Sequence, residues 1–152
     1  MNINFENYEY NGAWYGIEEV EFNGQSCHVD VQIDGYDESM IPESGKKVLL
    51  DFLNKFNQYT VKISEAVFEY YCVRREELGY ADEVNDEYPA ISSSKDILKM
   101  ISLIGITIPD QDDYDGAAVS LVFNCTWDTE NGVGICFIGE EIDEVGFQDI
   151  AL

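Results

Sequence analysis

Two stretches in which apolar and polar residues alternate, one near each end of the chain, constrain the fold more than any other feature of this sequence. Residues 27–33 place Cys, Val, Val and Ile at every second position, a period typical of a strand with one buried face. A less regular run over residues 14–22 precedes it and leads into Asn23-Gly24. That dipeptide favours a two-residue hairpin loop, because both central residues of a type I′ turn need positive φ. Residues 14–33 are therefore predicted to form a β-hairpin.

The second stretch predicts another hairpin in the C-terminal third. Residues 119–127 place Val, Leu, Phe, Cys and Trp on one face, and residues 133–138 return with the same alternation. The register follows from the pairing that brings the apolar residues of the two strands together. A three-residue loop over 130–132 pairs Trp127 with Ile135 and is favoured over a four-residue loop, which leaves the tryptophan opposite a glycine.

Between the two hairpins, apolar residues recur at helical spacing in three segments. Residues 48–56 and about 62–78 each carry an apolar stripe of the kind that a packed helix buries. A third helix is expected to begin at Ser93, whose hydroxyl can cap its first turn. Its buried stripe would consist of Ile97, Leu98, Ile101 and Ile104, and Gly105 would end it.

The order of these elements predicts the fold class. A last strand is expected over about residues 142–150, so the chain would run through two strands, three helices and three strands. Segregated strands and helices are typical of an α+β domain. We therefore expect an antiparallel sheet of about five strands, two N-terminal and three C-terminal, with about three helices packed on one face. Residues 1–152 are expected to form a single domain, since their number suits one hydrophobic core.

Charge is distributed unevenly along the chain. All eight Lys and Arg residues lie between Lys46 and Lys99. Residues 1–45 carry ten Asp or Glu and residues 100–152 carry eleven, with no basic residue in either segment. A net charge of −23 opposes binding to the phosphates of nucleic acid and to anionic lipid. The charge instead predicts a basic protein partner, and neither nucleic acid nor a membrane.

The cysteines and the N-terminal segment bear on localisation. The four cysteines, Cys27, Cys72, Cys125 and Cys136, show neither a C-x-x-C pair nor the spacing of a zinc site. We expect free thiols, which are typical of the cytosol, rather than disulfides. The N-terminus lacks the basic and apolar regions of a signal peptide, and no apolar run is long enough for a membrane span. A cytoplasmic protein is predicted.

The residues that most invite a catalytic or metal-binding interpretation do not complete a site. His28 shares a strand face with Asp30, but a general base also needs a group to act on, and an exposed sheet histidine is the simpler interpretation. Residues 110–116 read D-x-D-D-x-D-G, whereas a calcium-binding EF-hand loop needs D-x-D-x-D-G and a glutamate at its twelfth position, where Leu121 stands. A solvated acidic turn is favoured over a calcium site. No catalytic residue, metal ligand or cofactor is assigned.

The C-terminal hairpin also carries a family resemblance. The segment Trp127-Asp128-Thr129-Glu130-Asn131-Gly132 resembles a W-D-x-E-x-G hairpin near the end of a bacterial domain family of unknown function. In that family the residue before the glycine is often His, and Asn131 stands in its place here. The chain is also similar to small acidic proteins that act as immunity proteins beside bacterial toxins. The resemblance implies an immunity role, without an established activity.

These observations together predict a non-enzymatic acidic binding protein, monomeric or weakly dimeric. The function expected is that of an immunity-type inhibitor of a basic toxin such as a nuclease. The alternatives are a metal-dependent enzyme that uses the Asp/Glu-rich loops, and a structural or regulatory module with no toxin partner. Charge density alone selects the partner-binding residues, which are Asp110, Asp112, Asp113, Asp115, Glu140, Glu141, Asp143 and Glu144.

Overall fold

In the described part of the chain, seven strands form one sheet whose spatial order is the order of the chain. The structure is a computed structural model that describes residues 2–80 and 85–152. Its strands are β1 (Glu9–Tyr10), β2 (Trp14–Phe22), β3 (Gln25–Ile33), β4 (Ile101–Ile108), β5 (Ala118–Cys125), β6 (Val133–Ile138) and β7 (Glu141–Gly146). Strands β3 and β4 are parallel, and the other neighbouring pairs in the described part of the chain are antiparallel.

The connection between the two parallel strands contains the helices. Parallel neighbours need a long crossover, and the described part of this one contains α1 (Glu43–Lys55), α2 (Thr60–Glu77) and the four-residue α3 (Ser94–Ile97). The helices cover one face of the sheet, hereafter the helix face. The ring centroid of Phe137 lies 5.2 Å from that of Phe52 and 5.3 Å from that of Tyr59. The ring centroids of Tyr71 and Trp127 are 4.8 Å apart.

The first hairpin is confirmed. Strands β2 and β3 pair over nine residues each, from Trp14 opposite Ile33 to Phe22 opposite Gln25. The turn residues Asn23 and Gly24 have φ values of 52° and 77°, as a type I′ turn requires.

The prediction of a five-stranded antiparallel sheet is wrong, because the sheet has seven strands and is mixed. The main cause is the predicted third helix, of which only Ser94–Ile97 is helical, whereas Ile101–Ile108 is strand β4. A short apolar run fits either period. Five of the eight residues of β4 are β-branched, which favours a strand, and the run is buried between β3 and β5. The two-residue β1 was not predicted.

The predicted register of the C-terminal hairpin is also wrong. Leu121, and not Trp127, lies opposite Ile135, so the connection between the paired residues is much longer than three residues. Trp127 leaves the strand and packs against α2 in the core. The side chain of Asp128 closes the turn by accepting hydrogen bonds from the backbone and side-chain nitrogens of Asn131.

The end of the chain covers part of the sheet face opposite the helices, hereafter the back face. Strand β7 ends at Gly146, so the strand expected over 142–150 is shorter, and a 3₁₀ turn follows over Gln148–Ala151. Gly134 points away from the helices, and a Cβ built on it lies 2.9 Å from Ile150 and 3.4 Å from Ala151. The C-terminal turn therefore lies directly on β6, while the back face of β2, β3 and β4 has no layer over it among the described residues.

Candidate functional site

The parallel pairing of β3 and β4 brings two acidic loops together. The carboxyl ends of both strands lie at the same end of the sheet, where the backbone nitrogen of Asp34 donates to the carbonyl oxygen of Ile108 at 2.9 Å. The chain that leaves β3 is therefore adjacent to the chain that leaves β4. Each of these loops carries several aspartates.

A depression of about 350 Å³ lies between the two loops. Four aspartates line it, Asp34 and Asp37 from the first loop and Asp110 and Asp112 from the second. None of the described residues that line it is Lys or Arg. We call this depression, defined by its four aspartates, the acidic hollow. Four carboxylates without a cation among them make an attractive environment for ammonium or guanidinium groups.

Local hydrogen bonds hold three of these carboxylates in place. Asp34 accepts from the side-chain amide of Gln32 at 2.9 Å. Asp37 accepts from the backbone nitrogen and the hydroxyl of Ser39 at 2.9 and 2.6 Å, and these bonds lower the pKa of Asp37. Asp110 caps the 3₁₀ turn Gln111–Asp113 by accepting from the nitrogen of Asp112 at 3.1 Å. These hydrogen-bond donors are neutral. They therefore orient the carboxylates without compensating their negative charge.

A second, larger depression of about 510 Å³ adjoins the first and carries both signs of charge. Asp115 and Glu140 line it together with Lys47 and Lys55. The amine of Lys55 lies 3.1 Å from the carboxylate of Glu140, and its hydrogen bond and charge lower the pKa of Glu140. Its neighbour Glu141 is 3.0 Å from the amine of Lys62. The β6–β7 turn is thus neutralised in part by lysines of the helix layer.

The eight residues selected by charge density fall into three places. Asp110 and Asp112 line the acidic hollow, and Asp113 is exposed on the same loop. Asp115 lies with the lysine-paired glutamates at the β6–β7 turn, where the nitrogen of Gly139 donates to the carbonyl oxygen of Ala117. Asp143 and Glu144 are exposed on β7. The structure brings the first two groups to one end of the sheet, and their role in binding a partner stays a prediction.

Asp143 and Glu144 affect a nearby thiol. Glu144 lies opposite Cys136 in the β6–β7 pairing. Burial, and to a smaller extent the charges of these two carboxylates, raises the pKa of Cys136. This effect is local to the β7 edge of the sheet and involves none of the aspartates of the acidic hollow.

Asp34 and Asp37 belong to the acidic hollow but are not among the eight residues that charge density selects. The signal was present, because D-G-Y-D follows a well-defined strand. The predicted helix from Ser93 to Gly105 leaves no strand beside β3, so the expected fold does not bring this segment next to the loop after Ile108. Only a strand there, parallel to β3, places the loop after Ile33 beside the loop after Ile108.

The remaining candidates from the sequence are isolated. His28 is exposed and lies opposite Glu19 in the β2–β3 pairing. All four cysteines are free thiols. Within residues 2–80 and 85–152, no three His, Cys, Asp or Glu side chains are grouped so as to hold a metal ion. Over the same residues, no helix combines the length and the apolar character needed to cross a membrane.

A family model described as "Domain of unknown function (DUF6985)" matches residues 4–152. The chain therefore belongs to this family, which agrees with the expected resemblance to a family of unknown function. Searches of curated proteins and of solved structures gave no match to the chain.

Proposed function

We propose that this member of the DUF6985 family is a non-enzymatic binding protein whose acidic hollow binds a basic protein surface. The observation that carries the proposal is the set of four aspartates at the end of the parallel strand pair, with no Lys or Arg among the described lining residues. The net charge of −23 extends the same field over the molecule. Such a field speeds the encounter with a basic partner by about ten- to a thousand-fold at low ionic strength.

The partner that suits this site best is a toxin domain with a phosphate-binding groove, such as a nuclease. Carboxylates placed where the groove binds phosphate would pair with its Lys and Arg side chains and exclude the substrate. Four carboxylates from two loops present negative charge over a depression rather than at one point. Negative charge distributed in this way resembles a run of phosphates more than one isolated carboxylate does. The role is that of an immunity-type inhibitor of a bacterial toxin, which is also what the hairpin resemblance at Trp127–Gly132 implies.

The test uses basic domains encoded by genes adjacent to members of this family. Association rates are measured by surface plasmon resonance for the unmodified protein and for a hollow variant with Asp34→Asn, Asp37→Asn, Asp110→Asn and Asp112→Asn. Asparagine keeps the hydrogen-bond acceptor that orients each loop and can still cap the 3₁₀ turn. We expect the hollow variant to associate about tenfold more slowly at low salt, and this difference to shrink at high salt.

A matched control separates a site from bulk charge. The control variant removes four exposed carboxylates that lie elsewhere, through Glu6→Gln, Glu65→Gln, Glu69→Gln and Asp149→Asn. It has the same net charge as the hollow variant. An equal slowing in both variants, or no binding by any of the adjacent basic domains, contradicts the proposal.

A further inference from the structure

The back face of the sheet contains a groove that is larger than either depression at the acidic end. Its volume is about 790 Å³, within the range of sites that bind small ligands or peptide segments. The groove runs from β2 across β3 and β4 to β5 and the C-terminal turn. Its walls include the apolar side chains of Ile17, Ile104, Val122 and Leu152.

Two glycines lie in one cross-strand row on the back face, one covered by a side chain of the molecule and one open. Gly105 on β4 and Gly134 on β6 are both backbone partners of Val122 on β5. A Cβ on Gly134 lies 2.6 Å from the carbonyl oxygen of Phe147 and 2.9 Å from Ile150, so the C-terminal turn requires a glycine there. The molecule thus already seats one aliphatic side chain, that of Ile150, over a glycine of this row.

Gly105 has no such requirement of its own. Neither its φ nor its surroundings demand a glycine, since its φ is not in the left-handed region and the nearest atom to an added Cβ is Val122 at 3.4 Å. A glycine in a strand interior destabilises the strand and often marks a β-bulge or a place where another group approaches closely. At Gly105 the β4–β5 register shifts relative to Leu103, and the strand face there is open. Gly105 leaves a notch in the floor of the groove that matches the one filled over Gly134.

The charge of the groove indicates its occupant. Glu9 and Asp30 supply carboxylates to the lining, and none of the described lining residues is Lys or Arg. Gln32 also lines the groove, and its amide donates to Asp34 of the acidic hollow at 2.9 Å. The occupant must therefore combine a positive charge with an apolar group.

We propose that the back-face groove binds an extended, basic peptide segment of a partner protein and seats an aliphatic side chain over Gly105. The flanking Lys or Arg side chains of the segment pair with Asp30 and Glu9. This inference does not require the acidic hollow to bind anything, so the two proposals can fail separately.

The probe is a capped hexapeptide, Gly-Lys-Ile-Lys-Ile-Gly, titrated into the ¹⁵N-labelled protein and followed by amide NMR shifts. We expect saturable shifts at Ile17, Asp30, Gly105 and Val122. Two comparison peptides replace Ile by Ser or Lys by Glu. Each is expected to bind at least about tenfold more weakly, because burying one aliphatic side chain is worth about one to two powers of ten in affinity and the charges must be complementary.

Two variants tie the binding to the groove. Gly105→Val fills the notch, and Ile17→Lys places a cation on the wall. Each is expected to weaken binding of the first peptide about tenfold or more. Ile17 is 69% exposed, so its replacement leaves the fold intact even if Gly105→Val does not fold. The control is Val61→Lys, a change of a residue that is 64% exposed on the opposite, helical layer, and it should leave the affinity unchanged.

The proposal is overturned by any of three results. They are the absence of saturable binding by the first peptide, shifts confined to residues outside the groove, and an affinity that Ile17→Lys leaves unchanged. Slower association of the hollow variant with a basic toxin domain is a separate result that bears only on the proposed function.

Discussion

Replacing each of the two glycines opposite Val122 with alanine tests whether the back face is covered at one position and open at the other. The substitutions are Gly134→Ala and Gly105→Ala. They add the same methyl group to the same face of adjacent parts of one sheet. The two positions differ most in what lies above them, which is the C-terminal turn over Gly134 and the open groove over Gly105.

The contacts set opposite signs for the two changes. At Gly134 the added carbon lies 2.6 Å from the carbonyl oxygen of Phe147, so the C-terminal turn must move, and overpacking of this kind destabilises by about 1–3 kcal/mol. At Gly105 the nearest atom is 3.4 Å away, an ordinary contact. Alanine there restricts the unfolded chain and should stabilise by about 0.4–1 kcal/mol.

Urea unfolding followed by tryptophan fluorescence measures both free energies. We expect the two variants to differ by about 1.4–4 kcal/mol, which shifts their midpoints apart by about 0.5 M or more for a typical urea slope. Equal midpoints, or a larger loss of stability for Gly105→Ala, would refute the assignment of an open notch over β4. A stabilising Gly105→Ala would mean that the glycine is retained for a reason other than stability.

Two further predictions concern the interior. Arg75 is buried and donates to the carbonyl oxygens of Tyr88 at 2.9 Å and Tyr80 at 2.8 Å. Arg75→Met should therefore lower the free energy of unfolding in urea by about 3 kcal/mol, and Arg75→Lys should not restore all of it because lysine lacks the forked donors. A loss below about 1 kcal/mol in Arg75→Met contradicts the role of these bonds. Burial raises the pKa of Cys125 from 9.0 to about 11 and that of Tyr71 from 10.0 to about 12. A group whose pKa is higher in the folded state contributes stability below its unfolded pKa and loses that contribution as the pH rises through its folded pKa. The thermal unfolding midpoint should therefore decrease as the pH rises from 9 to 12. The double variant Cys125→Ala, Tyr71→Phe should show a smaller decrease, and an unchanged decrease would contradict the prediction.

The sequence was informative where one signal dominated. Asn23-Gly24 between two alternating runs is sufficient to define the first hairpin, because few other conformations satisfy positive φ at two successive residues. The two long helices were found from their apolar stripes, since a period near 3.6 maintained over more than two turns has no good alternative.

The sequence misled where tertiary context decided the outcome. The segment Ile101–Ile108 lies between β3 and β5 in the middle of the sheet, and its mostly apolar residues carry no clear period. The assignment of its first half to a helix ending at Gly105 removed one strand and the parallel pair, and with them the neighbouring loops that form the acidic hollow. Trp127 was placed on a strand because it continues the alternation of apolar and polar residues. In the structure the Asp128–Asn131 turn ends the strand before it, and its ring packs against Tyr71 in the core.

Charge density selected carboxylates without regard to what lies near them. Glu140 and Glu141 belong to the most acidic short segment of the chain, but Lys55 and Lys62 are seventy or more positions away in sequence and beside them in space. Asp34 and Asp37, in a less conspicuous segment, have no such neighbours in the lining of the acidic hollow.

Hydrogen exchange of the protein with and without a basic domain from an adjacent gene tests the central claim most directly. If the acidic hollow is the binding surface, amides of residues 34–40 and 109–116 gain protection on complex formation, while amides on the exposed side of α2 do not. Protection confined to the lysine-bearing helix layer, with no change in the two acidic loops, would contradict the claim.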